Sequence, residues 1–254
     1  MHAHSAGGRG HTACSLTSLM TIVAREHVER SLRASHLFVG VEGDTCASLA
    51  DHAVSRRYKR GEYVWHEGEE ASWMAVISSG LIKIVQRGSG AIVALLGPHE
   101  TFGEIAIVGE IPYTADAIAA TRHVELLCLD AQSVRTAMDT RPPFARAIER
   151  TLVAHGRSLQ DKIQIMSAGS VERRLAALIR HLLARFGDEL EDGSEIVPVT
   201  LSRAELASLV GATIETTIRT MSRWHKEGLV STLPEGFVVH DMARLLELAG
   251  GDAA

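Results

Sequence analysis

Two side chains four residues apart, Glu215 and Arg219, carry the most specific chemistry in the 254-residue chain. On a helix that spacing makes them project together. In a DNA major groove a guanidinium donates two hydrogen bonds to guanine O6 and N7, and a carboxylate accepts from cytosine N4. Thr216 and Ile218 share the same turn. Arg223 and Lys226 extend the helix toward phosphates. Ser202, Arg203 and Thr213 are expected to make backbone contacts, which set position rather than sequence.

The elements that would hold these groups are legible. Ser202, with Glu205 three residues on, forms a capping box for a first helix. Gly211 supplies a tight turn, Thr213 caps a second helix, and Gly228 ends it. A hairpin over 229–240 follows, with Pro234-Glu235-Gly236 at its tip. Upstream, Val171, Leu175, Leu178, Ile179, Leu182 and Leu183 share one face of a helix over 170–186. Before it, a long helix carries Ile148, Leu152, His155, Leu159, Ile163 and Met166. Steps of four, three and four match a coiled-coil seam. Such a stripe either lies on its own domain or pairs with its twin across a two-fold axis, and pairing is the reading favoured here. These six residues are therefore the expected dimer interface.

Residues 55–130 have another character. Short apolar segments alternate with glycine turns at intervals of ~8–12 residues, as in a sandwich or jelly roll. Two helices are expected ahead of them, over 22–36 and 44–53, and residues 1–20 read as a disordered tail. The net charge of −5 does not advertise a nucleic-acid partner, but a DNA reader needs only a local basic face. Three scattered cysteines, Cys14, Cys46 and Cys128, fit neither a zinc ribbon nor a disulfide framework. No apolar run approaches the ~20 residues of a membrane span. A cytoplasmic location and no membrane partner are expected. Walker, HExxH, GxSxG and Rossmann fingerprints are absent, which argues against an enzyme.

With Arg60-Gly61-Glu62, Glu67-Gly68, Ser79-Gly80, Leu95-Leu96-Gly97-Pro98, Phe102-Gly103-Glu104 and the helix-turn-helix in view, residues 31–245 resemble the Crp/Fnr family of bacterial regulators. The resemblance implies an α+β chain. An N-terminal double-stranded β-helix (jelly-roll-like) effector domain over 21–140 would precede a dimerisation helix over 141–168 and a winged helix-turn-helix over 169–250. It implies a homodimer on palindromic double-stranded DNA, a small effector and, for an activator, RNA polymerase as partner. Relatives use the residues matched by Glu215 and Arg219 to read a G–A step, and Ile218, where many carry Ser or Gly, would pack on a thymine methyl. The implied effector pocket comprises Gly103, Glu104, Ile105, Tyr113, Thr114, Ala115, Leu159 and Gln160. Glu104 would hold a ribose hydroxyl. The phosphate-binding Arg of cyclic-AMP binders is Tyr113 here, so the charge partner and bidentate donor are missing. Weak or no cyclic-AMP binding is expected. Three scattered thiols argue against an iron–sulfur cluster. Haem is the alternative cofactor, with His155 as its ligand; no other metal site is expected.

Overall fold

The computed structural model describes residues 25–250. The expected tail over 1–20 lies outside them, as do Cys14 and the start of the helix expected from 22. The chain opens with α1 (Arg25–Ala34), a 3-10 turn at His36–Phe38 and α2 (Gly43–Ala50). Then come β1 (Val54–Lys59), β2 (Tyr63–Trp65), β3 (Trp73–Ser79), β4 (Ile82–Gln86), β5 (Ala91–Leu96) and β6 (Thr101–Phe102). A short helix, α3 (Glu104–Gly109), precedes β7 (Asp116–Ala119) and β8 (His123–Asp130).

These eight strands form two antiparallel four-stranded sheets, ordered β1-β8-β3-β6 and β2-β7-β4-β5. Period-two alternation decides what each face meets. From β3, Ala75 and Ile77 point into the core between the sheets, and from β8 so do Val124, Leu126 and Cys128. Their neighbours Met74, Val76, Leu127 and Leu129 point the other way, onto the helices. The middle of the first sheet is thus covered on both faces, which explains why β3 and β8 read as nearly continuous apolar runs.

Next come α4 (Ala131–Thr140) and α5 (Pro142–Ser167). Asp130 caps α4 by accepting from Ser133 N, and Pro142 and Pro143 open α5, where a missing N–H costs nothing. The final part holds α6 (Val171–Phe186), β9 (Asp188–Glu189), β10 (Glu195–Val197), α7 (Arg203–Val210), α8 (Ile214–Lys226), β11 (Val230–Leu233), β12 (Gly236–Val239) and α9 (Met242–Ala249). Its antiparallel sheet has the order β11-β12-β10-β9. Gly211, at φ +60°, makes the left-handed turn between α7 and α8. Trp224 is fully buried against α6, and its Nε1 donates to Glu172 at 3.0 Å.

The expected α5 seam needs correction. Ile148 is buried with Phe144 and Ala147 in the core beneath the first sheet, and Leu152 is half-buried against that core. Ile148 holds α5 to its own domain and is not free to meet a second copy, and Leu152 is shared between that core and the surface. His155 turns toward α3. The large exposed apolar residues of α5 are Val153, Leu159, Ile163 and Met166. Val153 was not among the expected residues.

The two halves share one core. Leu81, Ile92, Leu95 and Ala120 of the β-roll pack in one cluster with Leu175, Leu178, Ile179 and Leu182 of α6 and Leu206 and Leu209 of α7. Polar contacts frame it. Arg185 Nη2 donates to both Glu100 oxygens at 2.8 and 2.7 Å, and Lys83 Nζ lies 2.5 Å from Glu205 Oε1. Arg60 reaches Thr200 O at 3.3 Å, and Lys162 donates to Ile92 O. Among the described residues no helix is long and apolar enough to cross a membrane.

Candidate functional site

The helix α8, expected to read bases, is built from its caps inward. Thr213 Oγ accepts from Thr216 N at 3.2 Å and donates to Thr216 Oγ at 3.0 Å. Its partner α7 carries a complete capping box: Ser202 Oγ accepts from Glu205 N at 3.2 Å, and Glu205 accepts from Ser202 N at 2.8 Å. The Lys83 contact to the same carboxylate holds Glu205 below the usual carboxylate range, against the opposing effect of burial. On α8, Thr217, Thr220, Met221 and Trp224 are buried, while Glu215, Ile218, Arg219, Arg223 and Lys226 are exposed.

Glu215 and Arg219 stand on the same exposed face, yet no ion pair joins them among the described residues. Arg219 Nη2 instead donates to Thr216 Oγ at 3.3 Å, leaving the Glu215 carboxylate open. Glu215 in the first turn also suits the positive end of the helix. Arg203 is half-buried, donates to Thr232 of the hairpin at 2.9 Å and lies over the Phe237 ring. Arg223 pairs with Glu172 at 2.6 Å, so a phosphate would have to compete for it.

A cavity of about 640 Å³ lies between the β-roll, α5 and α6. Gly103, Glu104, Ile105, Tyr113, Thr114, Ala115 and Leu159 line it. Gln160 does not. It is exposed, because one residue along a helix turns a side chain by about 100°. From α5 the wall is made by Thr151, Ala154, His155 and Ser158 as well, and α6 adds His181 and Arg185. The α6 residues could not be found from sequence: nothing local tells that α6 docks on the roll.

Glu104 is fully buried, and neither of its oxygens receives an aligned hydrogen bond. His155 faces it, with Nδ1 2.8 Å from Oε1. The geometry is close but not that of a well-aligned hydrogen bond, and it is an ion pair whenever the imidazole is protonated. Burial pulls the imidazole pKa down, but the carboxylate outweighs it and the net direction is up. Tyr113 fills the place expected for a phosphate-binding Arg. Its ring stacks on Trp65 at 4.0 Å and 4°, and its hydroxyl donates to Trp73 O at 2.6 Å. Burial raises its pKa, so it stays neutral. At this position a phosphate would meet an aromatic face in place of a guanidinium fork; the arginines that line the cavity, Arg157 and Arg185, stand on α5 and α6.

The fold agrees with what comparison finds. A cyclic nucleotide-binding domain matches residues 55–141, and a Crp-like helix-turn-helix domain matches residues 173–248. The chain belongs to the Crp/Fnr family. Among its Crp/Fnr relatives, a CRP-like cAMP-activated global transcriptional regulator of Mycobacterium tuberculosis is 28% identical over 87% of this chain and 100% of its own. Electron transport regulator A of Shewanella oneidensis is 26% identical over 79% of this chain and 81% of its own. A solved Crp-family transcriptional regulator from Thermus thermophilus superposes with a TM-score of 0.65 at 25% identity, covering 78% of this chain and 99% of its own. These Crp/Fnr relatives are transcription regulators, not enzymes.

The Crp/Fnr cofactor chemistries can be tested against the residues present. Cys46 and Cys128 are buried in different cores, and burial pushes the Cys128 thiol up to about 12. Thiols so placed are poor cluster ligands. Among the described residues no group of three or more His, Cys, Asp or Glu side chains converges as a metal site.

Proposed function

We propose that this Crp/Fnr regulator acts as a homodimer on a palindromic duplex and is switched by a small effector other than cyclic AMP. The observation that carries the DNA reading is the α8 face, where Glu215 and Arg219 stand exposed on a helix whose opposite face is locked by Trp224. Exposed Val153, Leu159, Ile163 and Met166 on α5 support pairing through that helix. The stacked Tyr113 supports an effector without a phosphate.

The switch follows from the cavity's walls. Its occupant touches α5 and α6 as well as the β-roll. A ligand that prefers one arrangement of these elements shifts the population of the two reading helices. Two such helices must meet major grooves ~34 Å apart. If the regulator activates, RNA polymerase is its further partner.

Glu215→Ala or Arg219→Ala abolishes selection of a palindromic motif from random duplexes while the sedimenting species remains a dimer. Motif selection unchanged by either variant refutes the assignment. Calorimetry with cyclic AMP gives no micromolar binding; such binding refutes the effector reading.

One observation favours haem as the alternative occupant. A metal-bound imidazole commonly has its other nitrogen against a carboxylate, and His155 Nδ1 faces Glu104. His155 would hold the haem iron there through its other ring nitrogen. A Soret shift on adding haem that vanishes in His155→Ala supports this reading, and an unchanged shift removes His155.

A further inference from the structure

The reading helix inverts the usual burial order. Thr217 and Thr220 are inside, with their hydroxyls donating to Thr213 O and Thr216 O at 3.0 Å each. Ile214 and Ile218 are outside, at 45% and 44% exposure. Burial alone would place these residues the other way round. The two isoleucines are one turn apart, so their Cβ atoms are about 6 Å from each other on a common edge. At about 100° per residue, Ile218 lies about 60° around the helix from Glu215, so this apolar edge borders the acid–guanidinium row. Ile214 opens the helix and Ile218 follows one turn later, in the N-terminal part that a recognition helix inserts among base edges.

We infer that Ile214 and Ile218 together form a second specificity row that takes the C5-methyl groups of two thymines beside the G·C pair met by Arg219. The inference rests on the DNA-binding reading and extends it, because Ile214 becomes a determinant in its own right. The occupant follows from continuity with the Glu215–Arg219 face: what covers that face covers this edge. In the major groove the apolar feature of a base pair is the thymine methyl. Two branched side chains about 6 Å apart span methyls on neighbouring or next-but-one pairs, given a rise of about 3.4 Å per pair.

The test deletes single methyls from the DNA. The motif is first selected from random duplexes with the full-length protein. Each thymine in it is then replaced by deoxyuridine, and affinity is measured at fixed salt. The selected half-site carries two thymines next to the G·C pair, and each replacement weakens binding about fourfold, as for one buried methyl. Ile214→Ser and Ile218→Ser fold normally, because both side chains are exposed, and each loses the thymine–uracil difference at one position. A palindromic motif whose affinity ignores deoxyuridine, or a difference that survives in both variants, overturns the inference while leaving the regulator reading intact. Selection of no motif at all overturns both.

Discussion

Replacing His155 with Leu tests the buried pair at the heart of the cavity. The Glu104 side chain has no exposure, and the His155 side chain has 24%. Removing one partner of a buried ion pair leaves an uncompensated charge and costs ~3–5 kcal/mol. Because water still reaches the imidazole, about 3 kcal/mol is expected for His155→Leu. Glu104→Met with His155→Leu removes both charges, fills similar space and should fall within about 1 kcal/mol of the wild type. The double-mutant cycle therefore gives a coupling of about 2 kcal/mol or more. Urea unfolding at fixed protein concentration is the assay, since the apparent stability of any oligomer depends on concentration. The pH dependence supplies a second readout. The folded-state imidazole pKa is raised. Its contribution is therefore complete below its unfolded value near 6.5 and is lost as pH rises through the folded value. The double variant lacks that loss. A cost below about 1 kcal/mol for His155→Leu, or additive single changes, refutes the pairing.

Three further outcomes are expected. Arg185→Ala removes a part-buried bidentate contact to Glu100 that joins α6 to the β-roll; at about 2 kcal/mol, opening between the two halves rises about thirtyfold, and limited proteolysis of the 168–170 connection accelerates accordingly. Gly236→Ala places a Cβ 1.9 Å from Val197 O, a backbone atom fixed in the sheet; thermal unfolding should show about 3 kcal/mol of destabilisation. Trp224→Ala empties the fully buried site behind the reading helix; a loss of about 3–5 kcal/mol is expected by denaturant titration, with specific DNA binding lost alongside.

Local chemistry made the reading half of the chain legible. Both bonds of the Ser202–Glu205 box and the Thr213 cap form as their spacing requires, because caps depend on residues three apart. The strands with glycine turns were equally local. Faces were harder. On α5 a 3.5-residue period serves equally for a helix lying on its own domain and for one awaiting a partner. Ile148 therefore could not be separated from Val153 without knowing where the first sheet lies. Gln160 shows the same difficulty: one step along a helix turns a side chain by about 100°, away from the cavity that Leu159 lines. The contacts between the halves, Lys83 with Glu205 and Glu100 with Arg185, join residues 122 and 85 apart in sequence. Neither leaves a local trace.

The common core of Leu81, Ile92 and Leu95 with α6 and α7 has a consequence for anyone dividing the chain. Severed after α5, the sensor fragment would present a bare greasy flank, and the severed reader would present its mirror. Each fragment should self-associate or need detergent. The two halves are then joined by a shared close-packed wall rather than a flexible tether, and a displacement on one side strains the other.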